Sequence, residues 1–332
     1  MSGLLKKLIL VSVLLVFALG GGFFWKVTTP LPLKAERVDF HIAPGKGMRA
    51  AANEISRAGV ELEPWLLVLL GKFMRVESSI KAGSYEISHG ISLWGLLKKL
   101  TRGDVTQAEI KFIEGWTFRQ MRERLDASPD LRHDTARLSD AEILKLIGAP
   151  VAHAEGQFFP DTYLFDKQSR DVDVLARAYR AMQAHLAREW ATRAEGLPYQ
   201  SIDQALIMAS IVEKETGREQ DRPLVAAVFV NRLRLGMPLQ TDPTVIYGLG
   251  EKFDGNLRKR DLLADTPYNT YTRGGLPPTP IAMPGLASLR AALHPADSKA
   301  IYFVARGDGS SHFSQTLTEH NQAVNRYQRG IK

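Results

Sequence analysis

The stretch IMASIVEKETG, Ile207 to Gly217, contains the residue best placed to move a proton, Glu213. Ser201 followed by Gln204 has the spacing of a helix N-terminus, and the helix it predicts runs through Thr216 to a stop at Gly217. Ala205, Leu206, Ile207, Met208, Ala209, Ile211 and Val212 make this helix apolar nearly all round, which predicts a central, buried element. At helical spacing Glu213 lies above Ala209 and Leu206, while Lys214 and Glu215 project toward other faces. A carboxylate on such a stripe must be paired or protonated, and desolvation would raise its pKa toward neutrality, as a general acid requires. The same residue also reads as an ordinary helix-end glutamate paired with Lys214, Arg218 or Arg222, and periodicity leaves both readings open.

Downstream, polar groups cluster beside rings: Gln240, Thr241, Asp242 and Tyr247; Tyr268, Asn269, Thr270 and Tyr271; His312, Ser314, Glu319 and Asn321. Sugars are bound by such sets, rings covering pyranose faces while amides and carboxylates pair with hydroxyls. Stabilisation of turns by the same residue types is the plainer alternative for any one of them. Other chemistries lack support. The eight histidines are scattered without HExxH or equivalent spacing, so no metal or other cofactor is expected, and there is no GxSxG elbow, P-loop or GxGxxG before a helix. With no cysteine, thiol nucleophiles, disulfides and Cys-rich zinc sites are excluded. The net charge of +7 favours anionic surroundings, but the basic residues are dispersed among acids, which argues against nucleic acid.

These residues must be positioned by a chain of 332 residues, long enough for two folded units, whose 45% hydrophobic content suits a packed core. Residues 1–7 read as a short cytoplasmic leader with Lys6 and Lys7, and Leu8 to Trp25 as an uncharged membrane-spanning helix. Ala18-Leu19-Gly20 running on into Gly21, Gly22, Phe23 and Phe24 favours an uncleaved anchor over a signal peptide, with everything after Trp25 facing outward. Residues 26–37 form a linker in which Pro30 and Pro32 predict a stiff spacer.

The first domain is expected over 38–126, where Val38 to Ser56, Gly83 to Leu100 and Glu109 to Leu125 share a pattern of strand, glycine-marked turn and helix. Thr117 with Gln120, and Ser139 with Glu142, have capping-box spacing; the second opens a short helix in a connector, 127–150. The second domain, 151–330, carries an amphipathic helix from Val172 to Arg193, the helix bearing Glu213, and a third from Asp221 to Leu235 with Pro223 in its first turn. Beyond Gly236 the richness in Pro, Gly, Thr and Tyr predicts functional surface loops. The fold class expected is α+β.

Five strings, in this order, resemble the YceG-like (MltG) family of endolytic murein transglycosylases: EGQFFPDTYLF from Glu155, IMASIVEKETG from Ile207, VNRLRLGMPLQTDPTVIYG from Val230, TPYNTYTRGGLPPTPIAMPG from Thr266 and HFSQTLTEHN from His312. The likeness extends over essentially the whole chain and implies one N-terminal membrane span, a small LysM-like unit at Gly83 to Val105 (83–105), and a YceG-like catalytic domain of mixed α+β structure. It implies that Glu213 is the single catalytic acid and base, cutting the bond from N-acetylmuramic acid to N-acetylglucosamine and leaving a 1,6-anhydro end. Glu219, Gln240, Asp242, Tyr247, Asn269, Tyr271, Glu319 and Asn321 are the substrate-binding expectations in or beside these strings. Gln157, Thr279 and Met283 depart from the Trp, Gly and Asn more usual there. The implied partners are peptidoglycan strands, the inner membrane and cell-wall synthases, with nascent strand termination as the role. A membrane-anchored wall-binding scaffold for the synthases, and a hydrolase using Glu213 with Asp242 or Glu219, are the competing readings.

Overall fold

The computed structural model describes residues 3–330 and divides the chain into two units, Met1–Glu109 with Leu164–Ser169, and Ile110–Tyr163 with Arg170–Lys332. Both strand and helix are present throughout, giving the mixed α+β class.

The first unit opens with α1 (Gly3–Thr28), whose segment Ile9–Thr28 is long and apolar enough to cross a membrane. Then follow β1 (Arg37–Ile42), α2 (Met48–Arg57), α3 (Pro64–Phe73), β2 (Gly83–Ser88), α4 (Leu93–Arg102) and β3 (Gln107–Lys111). β1 and β2 are antiparallel with Phe40 opposite Tyr85, and the alternating burial of β1 turns Val38, Phe40 and Ile42 into the core. Ile55, Leu67, Leu70, Leu96 and Leu100 complete that core from the helices. Gly83 to Val105 comprises β2 and α4, and its strand pairs with β1 outside that stretch. Helix α3, which strand-turn-helix periodicity did not anticipate, begins with Pro64 at N1, where a missing N–H costs nothing.

The proline segment expected to be a spacer is laid onto this unit. Leu31 N–H donates to Ile91 O (2.8 Å), Lys34 N–H to Gly59 O (3.0 Å) and Glu61 N–H to Pro32 O (2.9 Å). Proline lacks only its donor, so Pro32 still offers a carbonyl that the unit uses.

The second unit contains α5 (Phe118–Asp126), β4 (Leu131–Arg132), α6 (Asp140–Leu146), the strand β5 (Thr162–Asp166) along which the chain leaves it, β6 (Ser169–Arg170) on its return, α7 (Asp171–Ala191), α8 (Ile202–Glu215) and α9 (Arg222–Arg234). Both capping boxes form as their spacing predicts. The chain beyond Gly236 is more regular than its composition suggests, with α10 (Asp242–Leu249), α11 (Lys259–Leu263), α12 (Leu286–Leu293), the antiparallel pair β7 (Tyr302–Ala305) and β8 (Ser311–Ser314), and α13 (Leu317–Tyr327). Pro at N1 or N2 and Gly at the ends start and stop short helices as readily as they mark loops. α8 is the centre: Ala205 to Val212 are buried without a break, against α7, α9 and α12.

Candidate active site

Helix α8 holds the segment Ile281–Gly285 by two side chains one turn apart. Ser210 Oγ accepts the N–H of Ile281 (3.0 Å), and Glu213 Oε2 accepts the N–H of Gly285 (3.0 Å), the N-cap residue of α12. A third strand of chain joins them: Gly115 N–H donates to Met283 O (2.9 Å), and Met283 N–H to Trp116 O (2.7 Å). Lys214 Nζ donates to Gly115 O (3.2 Å).

This arrangement brings Glu114 to Gly285 as well. A Cβ on Gly285 would fall 1.9 Å from Glu114 Oε1, so only glycine lets the carboxylate lie there. Burial, then the charge of Glu213, push the carboxyl of Glu114 up from its ordinary value, against the opposing pull of Arg222. The N-terminus of α12, with its outward N–H groups, is a favourable place for carboxylates. Glu213 itself is half-buried: the continuous apolar burial of α8 ends at Val212, so Glu213 is held by a backbone donor at the edge of the core rather than sealed within it.

Beside this junction is a cleft of about 1170 Å³, whose walls include Lys214, Phe118, Tyr247, Tyr268, Thr279 and Ile281. Glu155 lies in it, accepting from Phe118 N–H (3.0 Å) and from the Tyr247 hydroxyl (3.1 Å). Burial outweighs those two hydrogen bonds and pushes its carboxyl up to about 7. Gly156, at φ +79°, keeps this turn against Pro280, which a Cβ would strike at 2.5 Å. Across the cleft, Arg119 pairs with Glu251 at 2.6 Å. Glu215 points elsewhere: Thr241 Oγ1 donates to it at 2.6 Å, and burial raises its carboxyl.

The binding residues expected from sequence are dispersed in role. Tyr247 lines the cleft, its ring edge-on to Tyr268 at 5.0 Å. Asp242, first residue of α10, accepts from the Tyr271 hydroxyl at 2.5 Å. Gln240 has φ +52° and accepts from Arg232 through Oε1 (3.3 Å). Asn269 is fully buried; its amide donates to the carbonyls of Asp261, Leu262 and Ala264, and its oxygen accepts Tyr271 N–H. Glu319 closes the capping box of α13, on which Asn321 is exposed, and Glu219 is exposed between α8 and α9. Of the departing positions, Thr279 meets the Tyr268 hydroxyl (2.8 Å), Gln157 meets Gln183 (3.1 Å), and Met283 is buried.

Sequence reasoning singled out neither Glu114 nor Glu155. Glu155 begins one of the five strings, and Glu114 sits between the apolar pair Phe112-Ile113 and Gly115-Trp116; a lone acid in an apolar run was the available signal. As for metals, Asp126, His133 and Asp171 bring ligand-type atoms within 4.8 Å, but both oxygens of Asp171 already accept from Asp134, Thr135 and Val172.

Fold and site therefore define an α+β protein with a long apolar N-terminal helix, built around a buried helix whose terminal carboxylate, Glu213, is held at Gly285 beside a ring-lined cleft that the neighbouring Lys214 lines. The YceG-like family model matches residues 40–326, and the chain belongs to that family. It is 31% identical over 329 residues to the endolytic murein transglycosylase of Bacillus subtilis (strain 168), covering 93% of this chain and 91% of that one. The endolytic murein transglycosylase of Streptococcus pneumoniae serotype 2 (strain D39) is 26% identical, over 96% of this chain and 65% of its own length. The crystal structure of a YceG-like protein from Listeria monocytogenes superposes with a TM-score of 0.55 at 30% identity, covering 86% of this chain and 98% of that one.

Proposed function

We propose that this protein is an endolytic peptidoglycan lytic transglycosylase in which Glu213 is the catalytic acid and base. The observation that carries the reading is the fixing of the Glu213 carboxylate by Gly285 N–H beside a cleft walled by Phe118, Tyr247 and Tyr268. The names of the bacillar and streptococcal relatives point the same way.

Glu213 donates its proton to the oxygen joining C1 of N-acetylmuramic acid to N-acetylglucosamine. The C1–O bond breaks, and N-acetylglucosamine leaves with that proton as its 4-hydroxyl. The muramyl C6 hydroxyl then attacks its own C1 while the Glu213 carboxylate takes the hydroxyl proton, closing a 1,6-anhydro ring and restoring the acid. No water is consumed, and one carboxyl serves both steps, unlike the two-carboxylate hydrolases. Positive charge developing at C1 needs a negative neighbour, and Glu114 is the carboxylate that meets Glu213 at Gly285. Tyr247, which lines the cleft, enters this reading as a glycan-binding group with Gln240, Asp242, Tyr271, Glu219, Glu319 and Asn321, while Asn269, buried and bonded to backbone on every side, ties the loop that carries Tyr271.

In the same reading α1 anchors the chain in the cytoplasmic membrane with its N-terminus inside, Gly83 to Val105 acts as a LysM-like glycan contact, and the enzyme cuts nascent strands beside their synthases. The deciding test is digestion of purified peptidoglycan by the wild type and by Glu213→Gln, with mass spectrometry of the fragments. Internal fragments ending in anhydromuramic acid from the wild type alone support the reading. Reducing ends, heavier by one water, indicate a hydrolase, and glycan binding without cleavage indicates a scaffold.

A further inference from the structure

Helix α3 carries no polar side chain from Pro64 to Gly71, so its first two turns are apolar all round, which in a soluble unit calls for burial on every side. Only half of it is buried. Leu66, Leu67 and Leu70 enter the core of the first unit, whereas Trp65, Leu69 and Phe73 are 58%, 45% and 75% exposed. Their spacing, i, i+4 and i+8, places them in one row, about 12 Å long at the helical rise. Met74, 39% exposed, follows Phe73 directly, whereas the exposed large apolar side chains elsewhere beyond α1, such as Leu146, Leu235 and Leu263, stand singly along the chain.

The position of this row relative to the span is what gives it an occupant. Val27, near the end of α1, is 3% exposed in the same core as Leu66 and Leu67, and Lys26 Nζ pairs with Glu63, the N-cap of α3, at 3.5 Å. With residues 31–34 hydrogen-bonded onto the unit, no free tether separates the span from α3. Trp25, 65% exposed at the end of the span, and Glu63 border one small pocket of about 240 Å³. Helix α3 thus begins at the level where α1 leaves the hydrocarbon. A tryptophan at that level and Lys72 and Arg75 near the helix end are the residue types that anchor an interfacial helix to anionic headgroups.

We propose that α3 is a second membrane contact, lying in the lipid interface with Trp65, Leu69 and Phe73 among the upper acyl chains, so that span and helix together fix the first unit against the bilayer. This rests on the reading of α1 as a membrane span. A rigid two-point seat differs from a single flexible anchor in its consequence: it limits the height above the membrane at which the chain leaves the first unit.

The absence of cysteine makes the test direct. Full-length Leu69→Cys, Phe73→Cys, Phe17→Cys and Asn53→Cys proteins, each carrying one environment-sensitive fluorophore, are reconstituted into phosphatidylcholine–phosphatidylglycerol vesicles and quenched by lipids bearing nitroxide at shallow or deep acyl positions. All four sites are exposed, so labelling leaves the core intact. The expected result is quenching at 69 and 73 by the shallow lipid roughly threefold or more above that at 53, with 17 quenched by the deep lipid. Quenching at 17 with 69 and 73 no different from 53 overturns the proposal while the span stands, and marks the row as a protein-binding face. A probe at 17 that the deep lipid does not reach overturns the span and this inference together.

Discussion

Glu213 and Gly285 are joined by a 3.0 Å hydrogen bond across 72 residues of sequence, and the same glycine carries Glu114 against its α-carbon. Gly285→Ala would put a methyl group 1.9 Å from Glu114 Oε1. Because that atom is the tip of a flexible side chain, the cheaper response is for Glu114 to swing away while the fold persists. Cleavage is expected to fall by roughly tenfold or more, about 1.4 kcal/mol of barrier. Glu114→Ala should cost a similar amount, and the double variant little more than either, since both lose one arrangement. Rates on purified glycan strands check this, and simple additivity would count against it.

Glu213→Gln keeps an oxygen that can accept the Gly285 N–H, so the junction should hold. Loss of the transferable proton is expected to lower cleavage by about 100-fold or more. Glycan pull-down and the thermal midpoint should remain near wild type.

Ser210→Ala removes the acceptor for Ile281 N–H inside a fully buried site. Leaving that donor unpaired should cost about 1–3 kcal/mol, read by urea unfolding of the intact chain in detergent. Activity per folded molecule should fall too, because the other end of the same segment holds Glu213.

The carboxyl of Glu155 is raised by burial to about 7, above its ordinary 4.5. The folded state then binds the proton more tightly than the unfolded state between those values. Stability from this group is full below about 4.5, declines as pH rises, and is lost above about 7, a change on the order of 3 kcal/mol. Glu155→Gln should flatten that part of the stability–pH curve. Unfolding measured from pH 4 to 8 in both proteins tests it.

Asn269→Ala removes the donors to three loop carbonyls and is expected to destabilise the second unit by about 1–3 kcal/mol. Glycan affinity of the folded fraction should change little. A large loss of affinity at unchanged stability would instead assign Asn269 to the ligand.

Local patterns carried much of the architecture. The apolar run Ala205 to Val212, the two capping boxes and the amphipathic repeat of α7 are written in residues three and four apart, and all four helices form, α7 and α8 within a residue or two of the expected bounds. The long apolar helix at the N-terminus and the family were legible for the same reason, being matters of contiguous residues. What lay beyond reach was pairing over distance. The proline segment looked like a spacer until Ile91, Gly59 and Glu61 supplied its partners. The loops after Gly236 hid α10, α12 and α13, because proline and glycine mark the ends of short helices as well as turns. Asn269 and Glu319, polar and beside rings, could equally bind a sugar or tie a loop, and only the fold showed which carbonyls and N–H groups they meet. The sequence by itself determined that a carboxylate, Glu213, would end a buried helix. The tertiary structure decided its company, Gly285 and Glu114, because a residue's electrostatic surroundings are set by neighbours in space, and those come from segments 72 and 99 residues away in the chain.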